Sequence, residues 1–94
     1  DAISTQFSKM FQRLGEVTVT KEQLSYSSIK PQVTTGIMLT KEGLLIASMP
    51  LHNIDSCFER VIFDESLESI RLVGPMFDYT YTIPSEILQL RGVI

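Results

Sequence analysis

The stretch Thr34-Thr35-Gly36-Ile37-Met38-Leu39-Thr40-Lys41-Glu42-Gly43-Leu44-Leu45-Ile46-Ala47-Ser48-Met49 decides how this chain is read. Two apolar runs flank a three-residue polar connection that ends in glycine. Such a connection closes a β-hairpin through a turn and a bulge, because glycine takes the left-handed bulge position at little cost. Both runs are apolar on successive residues, Ile37–Leu39 and Leu44–Ile46, which predicts strands covered on both faces. A covering element lies upstream. Ile3, Phe7, Met10, Phe11 and Leu14 fall at the spacing of one helical face, with polar residues between them, and predict an amphipathic helix over residues 3–14. Gly15 follows as the expected left-handed helix end, and Arg13 in the last turn suits the helix dipole.

Outward from the hairpin the period is that of strands. Glu16-Val17-Thr18-Val19-Thr20 alternates polar and β-branched residues. Lys21 to Val33, with Ser25, Ser27, Ser28 and Pro31, reads as a loop or an irregular strand. Pro50 stops the second hairpin strand, and Leu51 to Ser56 reads as a loop or one helical turn. Phe58–Phe63 is apolar enough for a strand, Asp64-Glu65-Ser66 breaks it, and Ile70 and Leu72 share one face of the next. Gly74-Pro75 is a turn. Met76 to Thr82 then alternates strictly, with Phe77, Tyr79 and Tyr81 on one face. After Pro84 the segment carrying Ile87, Leu88 and Leu90 begins a helix. The expected class is α+β and mostly β: an N-terminal amphipathic helix, then about six short antiparallel strands in a small, split β-barrel-like domain.

Ninety-four residues bury roughly 64% of their unfolded surface, enough for one core and a single domain over 1–94. With 44% hydrophobic and 20% charged residues the composition is that of an ordinary globular domain. A net charge of −3 and no basic cluster in the sequence exclude nucleic acid as the expected partner. No apolar run is long enough for a membrane span, and no signal-peptide pattern opens the chain. A single cysteine forbids an internal disulfide and fits a cytoplasmic location. The start at Asp1 and the apolar Val93-Ile94 ending are those expected of a piece of a longer protein.

Candidate chemistry is sparse. Glycine-rich phosphate loops, G-x-S-x-G, H-E-x-x-H and D-x-D-x-D-G are absent from the sequence. Cys57 and His52 are too few for a zinc site, and Asp55 and Glu59 work against a thiolate; Cys57 is expected in the core and His52 in a solvated loop. Asp64-Glu65-Ser66-Leu67-Glu68 reads as a solvated turn. The expectation is therefore no enzyme, no metal and no cofactor. Four aromatics are candidate partner contacts: Phe7 and Phe11, whose helix face could serve core or interface, and Tyr79 and Tyr81 on the aromatic strand. Arg91, placed where the chain leaves the strands, is a candidate ligand residue, since a guanidinium grips phosphate bidentately.

The order of parts resembles the accessory N-terminal domain of flagellar-brake PilZ proteins, bacterial cyclic-di-GMP effectors. The similarity lies in the helix-to-strand passage Phe11 to Val19, the hairpin Thr35 to Ile46, and above all the exit Phe77 to Arg91, with Pro84 and Arg91 in place. The family's paired arginine at this exit is Leu90-Arg91 here, and the (D/N)-x-S-x-x-G signature is missing. The resemblance thus implies a regulatory, protein-binding domain in motility control, next to a cyclic-di-GMP-binding module. Cyclic-di-GMP binding is expected only with residues beyond Ile94. Other readings are a homo-oligomerising scaffold, a homodimer for instance, and a roadblock- or longin-like platform, which requires a helix across Asn53–Arg60. A small enzyme around Cys57 and His52 is the last.

Overall fold

One helix followed by eight antiparallel strands makes up the computed structural model, which describes residues 2–30, 32–49 and 52–92. The elements run α1 (Ala2–Phe11), β1 (Glu16–Val19), β2 (Gln23–Ser27), β3 (Gly36–Thr40), β4 (Leu44–Met49), β5 (His52–Cys57), β6 (Arg60–Phe63), β7 (Ser69–Gly74) and β8 (Phe77–Thr82). A short helix α2 (Ser85–Leu88) and a 3-10 turn over Gln89–Gly92 follow. Strands β1 to β5 form one antiparallel meander in sequence order, and β6 to β8 form a second. The mostly-β class with a leading helix holds. The strands number eight, not about six, and they form two sheets around a shared core, not a closed barrel.

The hairpin forms as its sequence predicts. Leu39 pairs with Leu45, leaving Lys41-Glu42-Gly43 as the connection, and Gly43 sits at φ 93°. The two additional strands lie where side-chain pattern alone was weak. In β2, Leu24 and Tyr26 point into the core while Gln23, Ser25 and Ser27 face outward, so the serines that read as loop are the wet half of a strand. In β5 a polar run is held extended by pairing with β4 from Leu44↔Cys57 to Met49↔His52, an instance of tertiary context overriding propensity. The helix across Asn53–Arg60 that the roadblock- or longin-like reading requires is therefore absent, replaced by β5 and the start of β6. Pro50 and Leu51 lie outside the described residues.

The helix also ends earlier than its apolar stripe. α1 stops at Phe11, the Leu14 amide donates to the Phe11 carbonyl at 3.1 Å, and Arg13, at φ 67°, takes the left-handed position expected of Gly15. Gly15 serves a different need. A Cβ there would run into the Ser27 carbonyl oxygen and come within 2.8 Å of the Tyr26 ring, so glycine permits the close passage of the chain from α1 into β1.

Phe11 sits where the two sheets meet. Its ring stacks on Tyr26 of β2 at 4.3 Å and lies edge-on to Tyr81 of β8 at 6.1 Å. Phe7, Met10 and Leu14 complete the helix's share, facing Ile37, Leu39, Leu45 and Ala47 from one sheet and Ile70 and Leu72 from the other. The buried hydroxyls are paired. Tyr26 donates to the Leu14 carbonyl at 2.9 Å. The Thr35 hydroxyl donates to the Ser48 carbonyl at 3.0 Å, and the Tyr81 hydroxyl lies 2.6 Å from Thr35 Oγ1.

Between the sheets the chain turns at Phe58-Glu59. The Phe58 amide donates to the Gly43 carbonyl and the Glu59 amide to the Val73 carbonyl, each at 2.7 Å, so adjacent residues are tied to different sheets. That corner fixes one end of the molecule and shapes the cleft described next.

Candidate functional site

The inward side chains of β1 and β6 are less well covered than those of their neighbours. Val19 is 45% exposed, whereas Leu24, its partner in β2, is buried. Val61 is half-buried, whereas Leu72, its partner in β7, is fully enclosed. Both β1 and β6 are edge strands, so neither has a further strand to shelter its inner face. α1 seals much of the core with Phe7, Met10 and Phe11, but at its first turn Ile3 remains 43% exposed. The unsealed part is a cleft of about 970 Å³.

Its floor is apolar, formed by Val19, Leu24, Leu39, Phe58 and Val61, with Ile3 at one side. Its walls are turns that hold one another. Thr20 Oγ1 accepts from the Glu22 and Gln23 amides and shapes the β1–β2 turn. The Lys41 amide donates to the Glu22 carbonyl at 2.8 Å and joins that turn to the hairpin. The hairpin in turn accepts the Phe58 amide at Gly43. Lys21, Glu22, Lys41, Glu42 and Glu59 supply a rim of both signs. An apolar floor, a charged rim and walls fixed by backbone hydrogen bonds are what a binding site for an amphipathic partner needs. The sequence contains each of these residues yet not their meeting, because the β1–β2 turn reaches the hairpin through the β2–β3 pairing and the Phe58 corner reaches it through the β4–β5 pairing.

The residues singled out in the sequence lie elsewhere and do not converge. Phe7, Phe11 and Tyr81 are fully enclosed in the core, which corrects their reading as partner contacts: their rings carry the packing between helix and sheets. Tyr79 is half-buried with its ring on Phe77 at 6.3 Å, and burial pushes its hydroxyl above the ordinary range. Arg91 is committed internally. Its Nη2 donates to the Met10 and Leu67 carbonyls at 2.6 Å each, and its Nη1 to the Ser66 carbonyl at 3.3 Å. It thereby satisfies a carbonyl at the end of α1 that the helix cannot pair itself.

Cys57 is exposed, not in the core as expected; it pairs with Leu44, itself outward-facing and 38% exposed, at the sheet edge. Cys57 and His52 stand at opposite ends of β5, about 16 Å apart at strand spacing, too far for a nucleophile and base. The acidic turn is structural. The Asp64 carboxylate accepts from the Glu68 and Ser69 amides and the Ser66 hydroxyl. Those bonds, led by that of Ser69, hold its pKa below the usual value. Among the described residues no group of three His, Cys, Asp or Glu is placed to hold a metal ion, and no helix is long and apolar enough to cross a membrane.

Comparison with protein-family models, with curated proteins and with solved structures finds no match to this chain.

Proposed function

We propose that this chain is a non-catalytic interaction domain whose cleft receives apolar side chains of a protein partner. The observation that carries the reading is the cleft itself: inward-facing apolar residues of two edge strands left open between walls locked by backbone hydrogen bonds. Core positions are ordinarily closed to solvent, and an apolar recess rimmed by charge is how soluble domains present a binding surface. A regulatory role in the cytoplasm, beside a cyclic-di-GMP-binding module, draws its support from the helix-first order and the Pro84–Arg91 exit. The three carbonyl contacts of Arg91 speak against that side chain as the dinucleotide's ligand and for a role in holding α1.

The test uses the apolar dye anilinonaphthalene sulfonate as the probe. The native chain should bind it saturably. Val19→Lys, at a position already 45% exposed, should weaken dye binding at least fivefold while leaving the urea midpoint unchanged. Dye binding that is absent from the native chain, or undiminished in the variant, refutes the cleft as the site.

A further inference from the structure

Three of the chain's eight basic residues meet at one place on the surface. Lys9, Arg13 and Arg91, with Gln12, line a cleft of about 210 Å³ beside the end of α1 that shares no lining residue with the larger cleft. No carboxylate is among its lining residues, and the one salt bridge between described residues, Arg71–Asp78, does not involve them. The chain as a whole carries a net charge of −3, so this gathering runs against its composition. Bringing like charges together is unfavourable, and the cost is relieved when an anion enters.

The negative end of the α1 dipole accounts for cations in its last turn, and Lys9 needs no other reason. Two features go beyond that account. Arg91 comes from the far end of the chain, 81 residues after the Met10 whose carbonyl it holds. Its guanidinium is clamped by three carbonyls, so its charge is fixed at the cleft before any ligand arrives. Arg13 occupies a left-handed conformation, φ 67°, that glycine usually fills where a helix ends this way. A charged side chain is kept where the backbone would prefer none.

We propose that Lys9, Gln12 and Arg13, beside the fixed charge of Arg91, bind a phosphate-type oxyanion in this cleft. Cations arriving from a helix end and from the C-terminal turn suit a tetrahedral dianion. A carboxylate needs only one guanidinium fork to satisfy both oxygens. The anion is either free phosphate or a phosphate group on a larger molecule; both present the same chemistry to these side chains.

Inorganic phosphate titrated into the 94-residue chain at constant ionic strength, followed by backbone amide NMR, tests the site. Saturable shifts confined to the Lys9–Leu14 and Leu90–Arg91 amides are expected, with sodium acetate producing none that saturate over the same range. Arg13→Gly is the decisive variant, because glycine suits the left-handed backbone while removing the charge. It should melt at the same or a higher temperature yet bind phosphate at least tenfold more weakly. Free phosphoserine binding more tightly than phosphate supports a phosphate carried on a larger molecule, and weaker binding supports free phosphate. No saturable shift, an equal response to acetate, or undiminished phosphate binding by Arg13→Gly overturns the proposal.

Discussion

Replacing the two hydroxyls at the centre of the protein should cost unequal amounts, and the inequality follows from the geometry. Tyr81 is fully enclosed and Thr35 nearly so, with 2.6 Å between their oxygens, while the Thr35 hydroxyl also donates to the Ser48 carbonyl at 3.0 Å. Tyr81→Phe removes one hydrogen bond and leaves Thr35 still paired with Ser48, a loss of about 1–1.5 kcal/mol. Thr35→Val removes both bonds at once. It strands the enclosed Tyr81 hydroxyl, at about 1–3 kcal/mol, and removes the bond to the Ser48 carbonyl, which keeps its place opposite Gly36 in the β3–β4 ladder, for a total loss of about 2–4 kcal/mol. In the Tyr81→Phe background no hydroxyl is left to strand, so Thr35→Val should cost about 1–3 kcal/mol less there than in the native chain. Urea unfolding of the native chain, both single variants and the double variant measures all four corners, with unchanged m-values as the check that the unfolded state is the same.

The same pair sets an alkaline limit. Burial, the largest influence, holds the Tyr81 hydroxyl far above its ordinary pKa of about 10. The unfolded chain releases this proton near that pH and the folded chain keeps it. The unfolded state then binds fewer protons, and stability falls as pH rises above about 10, by up to 1.4 kcal/mol per pH unit for this one group. Tyr81→Phe should remove that share of the slope and leave the share of Tyr26 and Tyr79, which burial also raises. Additive losses, a Tyr81→Phe cost equal to that of Thr35→Val, or identical alkaline slopes in native and variant chains would refute the paired-hydroxyl account.

Two further substitutions separate structural roles that the sequence leaves merged. Arg91→Met should lower stability by about 2–3 kcal/mol, because the Met10 and Leu67 carbonyls lose a charged donor, and the melting temperature should fall by roughly 10–20 °C in calorimetry; a loss below about 0.5 kcal/mol would mean that Arg91 does not hold α1. Gly15→Ala and Gly15→Asn should both lose about 1–3 kcal/mol in chemical unfolding, since any Cβ meets the Ser27 carbonyl; a well-tolerated asparagine would return Gly15 to the role of a left-handed helix end.

The hairpin and the aromatic strand were legible because their signals are local. Lys41-Glu42-Gly43 carries its own turn chemistry, and Phe77, Tyr79 and Tyr81 carry their own period. β2 and β5 were not, for opposite reasons. In β2 the serines occupy the wet face and mimic a loop, while in β5 the extended shape belongs to the partner strand β4. The helix face was read well as a stripe, but a stripe does not say whether it meets a partner or its own sheets. Phe7 and Phe11 at zero exposure answer that for this fold.

By itself, then, the sequence determined the class: a leading amphipathic helix, antiparallel strands at hairpin spacing, and the alternation of the aromatic strand. These depend on periodicity and turn chemistry, which neighbouring residues impose on one another. Tertiary structure decided what those residues are for. It spent Arg91 on carbonyls at the end of α1, put Cys57 outside, and moved the left-handed residue from Gly15 to Arg13. It also brought Val19, Leu39, Phe58 and Val61 around one cleft, and Lys9, Arg13 and Arg91 around another. Both clefts join segments far apart in the chain, and contacts of that range follow from which edges pair and which stay open.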